Sequence, residues 1–230
     1  MASLSHKSSL NAASEKACQW ANYICPEGIV HRMVDYSESQ RQSIEDSPRN
    51  KRQIDFDMGR FCAHDALSQF GVHETVGTAD DRSPIWPGRF VGSISHSESR
   101  AWASVGTKSD LTALGVDTET IVDASSLKHL KGEIGIDAEW ALLEEFGLTP
   151  EVAFTILFSA KESFYKCWAP ITGEFFGFHQ AELTHVDNEK IRLEMTAKNP
   201  NFGQEPNGLD VYYFVDPTDV FTVAWMKSQS

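Results

Sequence analysis

The sequence predicts an α+β fold, a mixture of helices and antiparallel sheet, and three observations carry that prediction. A long helical pattern with its boundary residues in place, Thr149 as N-cap, Pro150 in the first turn and Pro170 beyond the end, marks Pro150 to Trp168. The segments after it alternate apolar and polar residues in the two-residue period of half-buried strands. A chain of 230 residues, 41% of them hydrophobic, is long enough to close a core without staples.

The elements follow in chain order. The first sixteen residues lack the apolar run of a secretory signal, and no segment is apolar for the length of a membrane span. Ser37 to Arg52 and Pro200 to Gly208 read as polar surface loops. A helix from about Arg52 to Phe70 places Ile54, Met58, Phe61 and Ala66 near one face and Arg52, Phe56, Arg60 and His64 on the opposite stripe, with Gly71 to end it. Pro84 to Gly88 is a rigid turn leading into a strand from Phe90 to His96, and Ala101 to Val105 and Leu111 to Thr118 are further strands. Helices at Asp137 to Phe146 and Pro150 to Trp168 come next. Strands at Phe178 to Val186, Lys190 to Ala197, Leu209 to Val215 and Val220 to Met226 complete the chain, the last two joined by the Asp216 to Asp219 turn.

Charge narrows the function. Asp and Glu number 33 against 20 Lys and Arg, a formal charge of -13, which excludes bulk attraction to nucleic acid or anionic lipid. Cys18, Cys25, Cys62 and Cys167 have neither zinc-site nor disulfide-framework spacing, so they read as reduced thiols in a cytoplasmic protein.

Two clusters carry chemistry. In Gly115-Val-Asp117-Thr-Glu119 the carboxylates share one strand face about 6.6 Å apart, close enough for flexible side chains to meet on one ion. Hard oxygen donors with room for water and phosphate oxygens suit magnesium, although a sheet end with both groups in water has the same pattern. On the long helix Glu162 and Lys166 lie one turn apart with Lys161 beside them. Such a pair on a solvated face stabilises a helix by roughly 0.2–0.5 kcal/mol. Here the aromatics Phe158, Phe164 and Trp168 leave only a narrow polar seam, one anion flanked by two cations, which suits a metal-bound phosphate. Ser95 and His96, neighbours on a strand, point to opposite faces and do not form a nucleophile pair.

Taken together, Gly115 to Glu119 and Phe158-Ser-Ala-Lys161-Glu162-Ser163-Phe-Tyr-Lys166 resemble the two signature motifs of the 4'-phosphopantetheinyl transferases, GVDxE and (W/F)xxKE(A/S)xxK, at about the family's separation. Pro84-x-Trp86-Pro87, Gly92-Ser-Ile-Ser95-His96 and Arg52-x-x-x-Phe56-x-x-Gly59-Arg60 resemble further blocks of the subgroup typified by the enterobactin synthetase component D. The resemblance runs from about residue 52 to 168.

It implies a monomeric pseudodimer of two similar α+β halves, residues 1–110 and 111–230, with the active site at their interface. The implied activity is magnesium-dependent transfer of the 4'-phosphopantetheine group from coenzyme A to a serine of an apo acyl, aryl or peptidyl carrier protein, releasing adenosine 3',5'-bisphosphate, in pathways such as siderophore or nonribosomal peptide synthesis. By the resemblance Asp117, Glu119 and Glu162 are the metal ligands, and Asp117 also belongs to the coenzyme A site. Lys161 and Lys166 neutralise phosphate oxygens, Lys166 being placed for the leaving group. His96 contacts the coenzyme phosphates with Ser95 assisting, and a His96 satisfied by backbone is the plainer reading. Arg52 and Arg60, two turns apart, hold the 3'-phosphate, with Arg82 a further phosphate candidate; a snorkelled surface stripe would look the same. His64 stands where relatives carry another basic residue. Glu139 is the candidate base for the serine proton, while a glutamate in a first helical turn also fits the helix dipole alone and a bound water could take its place. The alternative, a non-catalytic coenzyme A or carrier-protein binder, would lack a metal ligand, and none is missing.

Overall fold

The computed structural model describes residues 12–36, 51–173, 175–196 and 207–228. Two antiparallel sheets lie against each other, and the acidic cluster described below sits at their seam. The first sheet has the order β1-β5-β4, built from β1 (Val30–Asp35), β4 (Phe90–His96) and β5 (Arg100–Thr107). Helices α1 (Ala12–Ile24) and α2 (Lys51–Ser68) pack on it, and the short strands β2 (Gly77–Thr78) and β3 (Pro84–Ile85) form a separate ribbon. The second sheet has the order β6-β10-β9-β8-β7, from β6 (Leu111–Thr120), β7 (Ala181–Val186), β8 (Lys190–Met195), β9 (Gly208–Val215) and β10 (Asp219–Lys227). Between β6 and β7 run α3 (Ala124–Ile134), α4 (Asp137–Glu145) and α5 (Pro150–Thr172). The strands β4 and β6 meet where the two sheets join.

Burial explains the arrangement. One face of α5 buries Phe154, Ile156, Leu157, Phe164 and Trp168 against the five-stranded sheet, with the Phe164 and Trp168 rings stacked 5.0 Å apart. Each such side chain contributes about 2–3 kcal/mol of transfer free energy. The helix α1 lays Ala17 and Ala21 over Trp102, Leu114, Val116 and Phe221, so one cluster spans residues of both sheets. The four cysteines are free thiols, and burial pushes Cys25 up to about 12, far from reactive thiolate.

The strand β4 keeps the limits read from sequence, and the α+β class holds. Several details differ. The helix α5 runs past Trp168 to Thr172 with Pro170 inside it, because a proline in the last turn forfeits only one amide bond. Gly173, in the left-handed region at φ 67°, closes it by donating its N–H to the Ala169 carbonyl. Thr149 stands at the N-cap, yet its hydroxyl caps nothing. On α2 the buried side is Ile54, Gly59, Cys62, Ala63, Ala66 and Leu67, whereas Phe61 is 54% exposed. Phe178–Gln180 form a single 3-10 turn before β7. The helices α1 and α3 and the strand β1 are additional to the sequence reading; Asp123 starts α3 by accepting from the Ser125 and Ser126 amides. Residues 37–50, 197 and 200–206 of the expected loops and strand lie outside the described residues. Among the described residues no helix is long and apolar enough to cross a membrane.

Candidate active site

The strand β6 pairs with β10 on one side only, so its other edge presents backbone N–H groups that need acceptors. The strand β4 supplies them from side chains. Ser93 Oγ accepts from Val116 N at 3.0 Å and Ser95 Oγ from Thr118 N at 3.4 Å, a spacing of two on each strand. The Ser-x-Ser pattern is therefore a staple between the two sheets. Ser95 Oγ also donates to Asp117 Oδ1 at 2.7 Å.

On its helix-facing side β6 comes very close to α5. A Cβ on Gly115 would lie 1.9 Å from the Ser163 carbonyl oxygen and 2.7 Å from Cys167 N, so only hydrogen fits there. This contact brings Asp117 under Lys166, whose Nζ lies 2.7 Å from Asp117 Oδ1 and 3.2 Å from Ser95 Oγ. Asp117 is 2% exposed, and its Oδ2 is buried with no hydrogen-bond partner among the described residues.

Electrostatics gathers Glu119 and Glu162 into the same cluster. Burial pushes Glu119 up to about 8, the Asp117 and Glu162 charges add to the rise, and Lys166 opposes it. Glu162 is raised too, by burial and by Asp117, against the pull of Lys166. Burial works against the Lys166 charge, but Asp117, Glu162 and Glu119 together hold it above the ordinary lysine value. His96 ends β4 exposed; burial of its ring lowers its pKa, Asp55 and Asp117 raise it and Lys166 lowers it, which places it within reach of the same charges.

Three carboxylates and one lysine leave an excess of negative charge that a divalent cation would neutralise. The orphaned Asp117 Oδ2 supplies the unused donor atom, and magnesium binds few protein oxygens and completes its shell with water and phosphate. Among the described residues no group of three His, Cys, Asp or Glu side chains is already gathered to hold a metal ion.

Arg60 lies on α2, almost fully buried. Its Nη2 donates to Thr78 Oγ1 at 3.1 Å, its guanidinium sits 4.9 Å from the Phe56 ring centre, and its Nη1 is buried without a partner among the described residues. A desolvated guanidinium with an unfilled donor suits an anion. Arg52 is exposed on the same helix. Arg82 is exposed in the turn between β2 and β3, with φ at 71°.

Two expectations need correction, and His64, left open by the sequence, gains a place. Lys161 is 2% exposed and gives its ammonium hydrogens to Glu139 Oε1 at 2.7 Å, the Ile134 carbonyl at 2.9 Å and the Phe178 carbonyl at 3.0 Å, which leaves none for a phosphate. Glu139 is equally enclosed: Oε2 accepts from Ile136 N and Oε1 from Leu183 N and Lys161, so it is a structural carboxylate rather than a base. His64 Nε2 accepts from Val76 N at 3.2 Å, and burial and Arg60 lower its pKa, so it ties down a loop as neutral imidazole.

Sequence reading passed over Ser93, for which the alternating serines before His96 were the available signal. It also missed a cleft of ≈150 Å³ beside Glu162, lined by Tyr165, Phe175, Phe176 and Phe178. Clustered phenylalanines after Gly173 were the clue there.

An acidic, lysine-balanced cluster beside the seam of the two sheets has the charge pattern that suits an anionic group held with a cation. Comparison with known proteins makes the family specific. A profile described as the 4'-phosphopantetheinyl transferase N-terminal domain matches residues 39–106, and one described as the 4'-phosphopantetheinyl transferase superfamily matches residues 113–213. Enterobactin synthase component D of Salmonella typhi is 34% identical over 149 residues, 65% of this chain and 62% of that protein. The 4'-phosphopantetheinyl transferase Npt of Nocardia iowensis is 32% identical over 142 residues, 58% of this chain and 60% of its own length. PptT of Mycobacterium tuberculosis is 32% identical over 142 residues, 58% of this chain and 59% of its length. The chain thus spans about three fifths of the length of these relatives. It belongs to the 4'-phosphopantetheinyl transferase superfamily.

Proposed function

We propose that this protein transfers the 4'-phosphopantetheine group of coenzyme A to a serine hydroxyl of an apo acyl, aryl or peptidyl carrier protein, releasing adenosine 3',5'-bisphosphate. The single observation that carries the reading is the Asp117–Lys166 pair at the seam between the sheets, with one buried carboxylate oxygen of Asp117 unused among the described residues and the charges of Glu119 and Glu162 acting on the pair. Names of the relatives support the same chemistry. The division into halves near residue 110 is supported by the limits of the two profiles, 106 and 113.

In this proposal the new bond joins the serine oxygen to the phosphorus bearing pantetheine, the diphosphate P–O bond breaks with adenosine 3',5'-bisphosphate as the leaving group, and the serine proton passes to water. Asp117, Glu119 and Glu162 would hold Mg2+, which when bound supplies positive charge to the diphosphate oxygens. Lys166 stands over Asp117 and neutralises charge that develops on the leaving phosphate, a contribution greater in the transition state than in free coenzyme A. Ser95 orients Asp117 through its hydrogen bond. His96, at the exposed end of β4, faces the coenzyme phosphates. Arg60 offers its unfilled Nη1 to the 3'-phosphate, with Arg52 on the same helix and Arg82 in the β2–β3 turn adding positive charge.

Mass spectrometry of an apo carrier protein after incubation with this protein, coenzyme A and magnesium tests the reading. The expected result is a gain of one phosphopantetheine arm that excess EDTA prevents. Coenzyme A binding with no mass gain on acyl, aryl or peptidyl carriers would leave the non-catalytic binder as the function.

A further inference from the structure

We infer that Arg100 is a positioning residue that fixes the spacing between the His96 turn and the Glu119 rung by tying the two halves together; the inference rests on the transferase reading above. Arg100 opens β5, four residues after His96, and is 1% exposed. Within its own half, Nε lies 3.0 Å from Asp35 Oδ1 on β1 and 2.7 Å from Ser14 Oγ on α1. Ser14 Oγ in turn donates to Asp35 Oδ1 at 2.8 Å. Across the seam, Arg100 Nη1 forms an ion pair with Asp219 Oδ1 at 3.2 Å, at the start of β10, without hydrogen-bond geometry, and the guanidinium lies 4.9 Å from the centre of the Phe221 ring.

Both ends of this link lead to residues assigned to the site. The Arg100 carbonyl accepts from Ser97 N at 2.9 Å and from the Tyr36 hydroxyl at 3.3 Å, closing the turn that follows His96. The single hydrogen of that hydroxyl is shared with Asp55, whose Oδ1 is nearer at 2.9 Å and whose charge acts on His96. At the other end, Asp219 pairs in register with Thr120 and accepts from its hydroxyl at 3.3 Å, and the next rung pairs Val220 with Glu119. One rigid, planar cation therefore connects the turn carrying His96 to the rung carrying Glu119. A buried pair of this kind adds little net stability compared with well-packed apolar residues, so its use lies in the geometry it imposes. Lysine keeps the charge but lacks the fork that reaches Asp35 and Asp219 at once.

The test compares Arg100→Lys, Arg100→Met and Asp219→Asn with the unaltered protein, below the unfolding temperature of each. Measured are kcat and KM for coenzyme A, the magnesium concentration for half-maximal rate, and hydrogen exchange in the 97–99 turn and at Thr120. For Arg100→Lys and Asp219→Asn the expected result is at least a tenfold fall in kcat with little change in KM, and at least a threefold rise in the magnesium requirement. Exchange at both ends of the link should quicken. Folded variants that lose thermal stability but keep kcat and the magnesium requirement would overturn the proposal, since a merely structural link predicts that pattern. If Arg100→Met does not fold, the two conservative variants decide. Should the unaltered protein transfer nothing, the functional reading fails by itself, and hydrogen exchange judges the link: unchanged rates at either end in Asp219→Asn refute it, and faster rates at both retain it.

Discussion

Two lysines on α5, five residues apart, each hold a carboxylate at 2.7 Å, and they have opposite fates. Lys161 is closed off: three acceptors take its hydrogens, and both oxygens of Glu139 are filled. Lys166 is left open. Its side chain is partly exposed, Asp117 Oδ2 has no partner, and two further carboxylates press on the pair. The difference teaches that ion-pair distance does not separate scaffold from site. Saturation does: a pair whose donors and acceptors are all matched has nothing left to offer a ligand.

The comparison can be broken most severely at its open end. Asp117→Asn keeps the shape but removes the charge, and transfer to a carrier protein should fall by about 10²–10³-fold with circular dichroism unchanged. A variant within threefold of the normal rate would remove Asp117 from the site. At the closed end the effect should be on stability. Glu139→Ala leaves the buried Lys161 ammonium unpaired and should cost about 3–5 kcal/mol in urea unfolding, most of it recovered in Glu139→Leu with Lys161→Met. The folded fraction of Glu139→Ala should turn over within a few-fold of normal; a hundredfold loss would show that saturation is a poor guide.

His31 sharpens the rule, because it is a neutral buried group with one atom unfilled. Its Nδ1 meets Ser104 Oγ at 2.6 Å, while Nε2 has no partner. Burial, with the Arg32 charge, lowers it from 6.5 to about 4. The unfolded chain therefore binds the extra proton first, so this contribution to stability is intact above pH 6.5 and is lost as pH falls toward 4, about 3 kcal/mol in all. His31→Gln should flatten the stability curve across that window, and an unchanged slope would contradict the assignment. The smallest effect is expected at Arg60. Arg60→Ala should weaken coenzyme A about tenfold and dephospho-coenzyme A hardly at all by calorimetry; equal losses would detach Arg60 from the 3'-phosphate.

The open end was legible in the sequence for a local reason. Asp117 and Glu119 are two apart on a strand, Glu162 and Lys166 four apart on a helix, and both spacings put side chains on one face before any tertiary contact is known. Limits of β4 were equally legible from its flanking turn residues. The closed end was not, since Glu139 and Lys161 are 22 residues apart on different helices and nothing local announces that they face each other. Phe61 misled because α2 buries small residues, Gly59, Cys62, Ala63 and Ala66, in place of the larger apolar ones that a periodic pattern favours. Helix α1 escaped notice for the same reason, its buried stripe being Ala13, Ala17 and Ala21. A proline near the end of α5 was read as a stop, although the last turn tolerates it and Gly173 supplies the actual terminus.

The serine staple on β6 has a consequence for handling the protein. A fragment beginning at Leu111 would carry every acidic residue of the cluster, yet the amides of Val116 and Thr118 would lose their hydroxyl caps and stand bare along the rim of the five-stranded sheet. Such a rim recruits strands from other chains, so the fragment should clump where the intact chain stays dispersed.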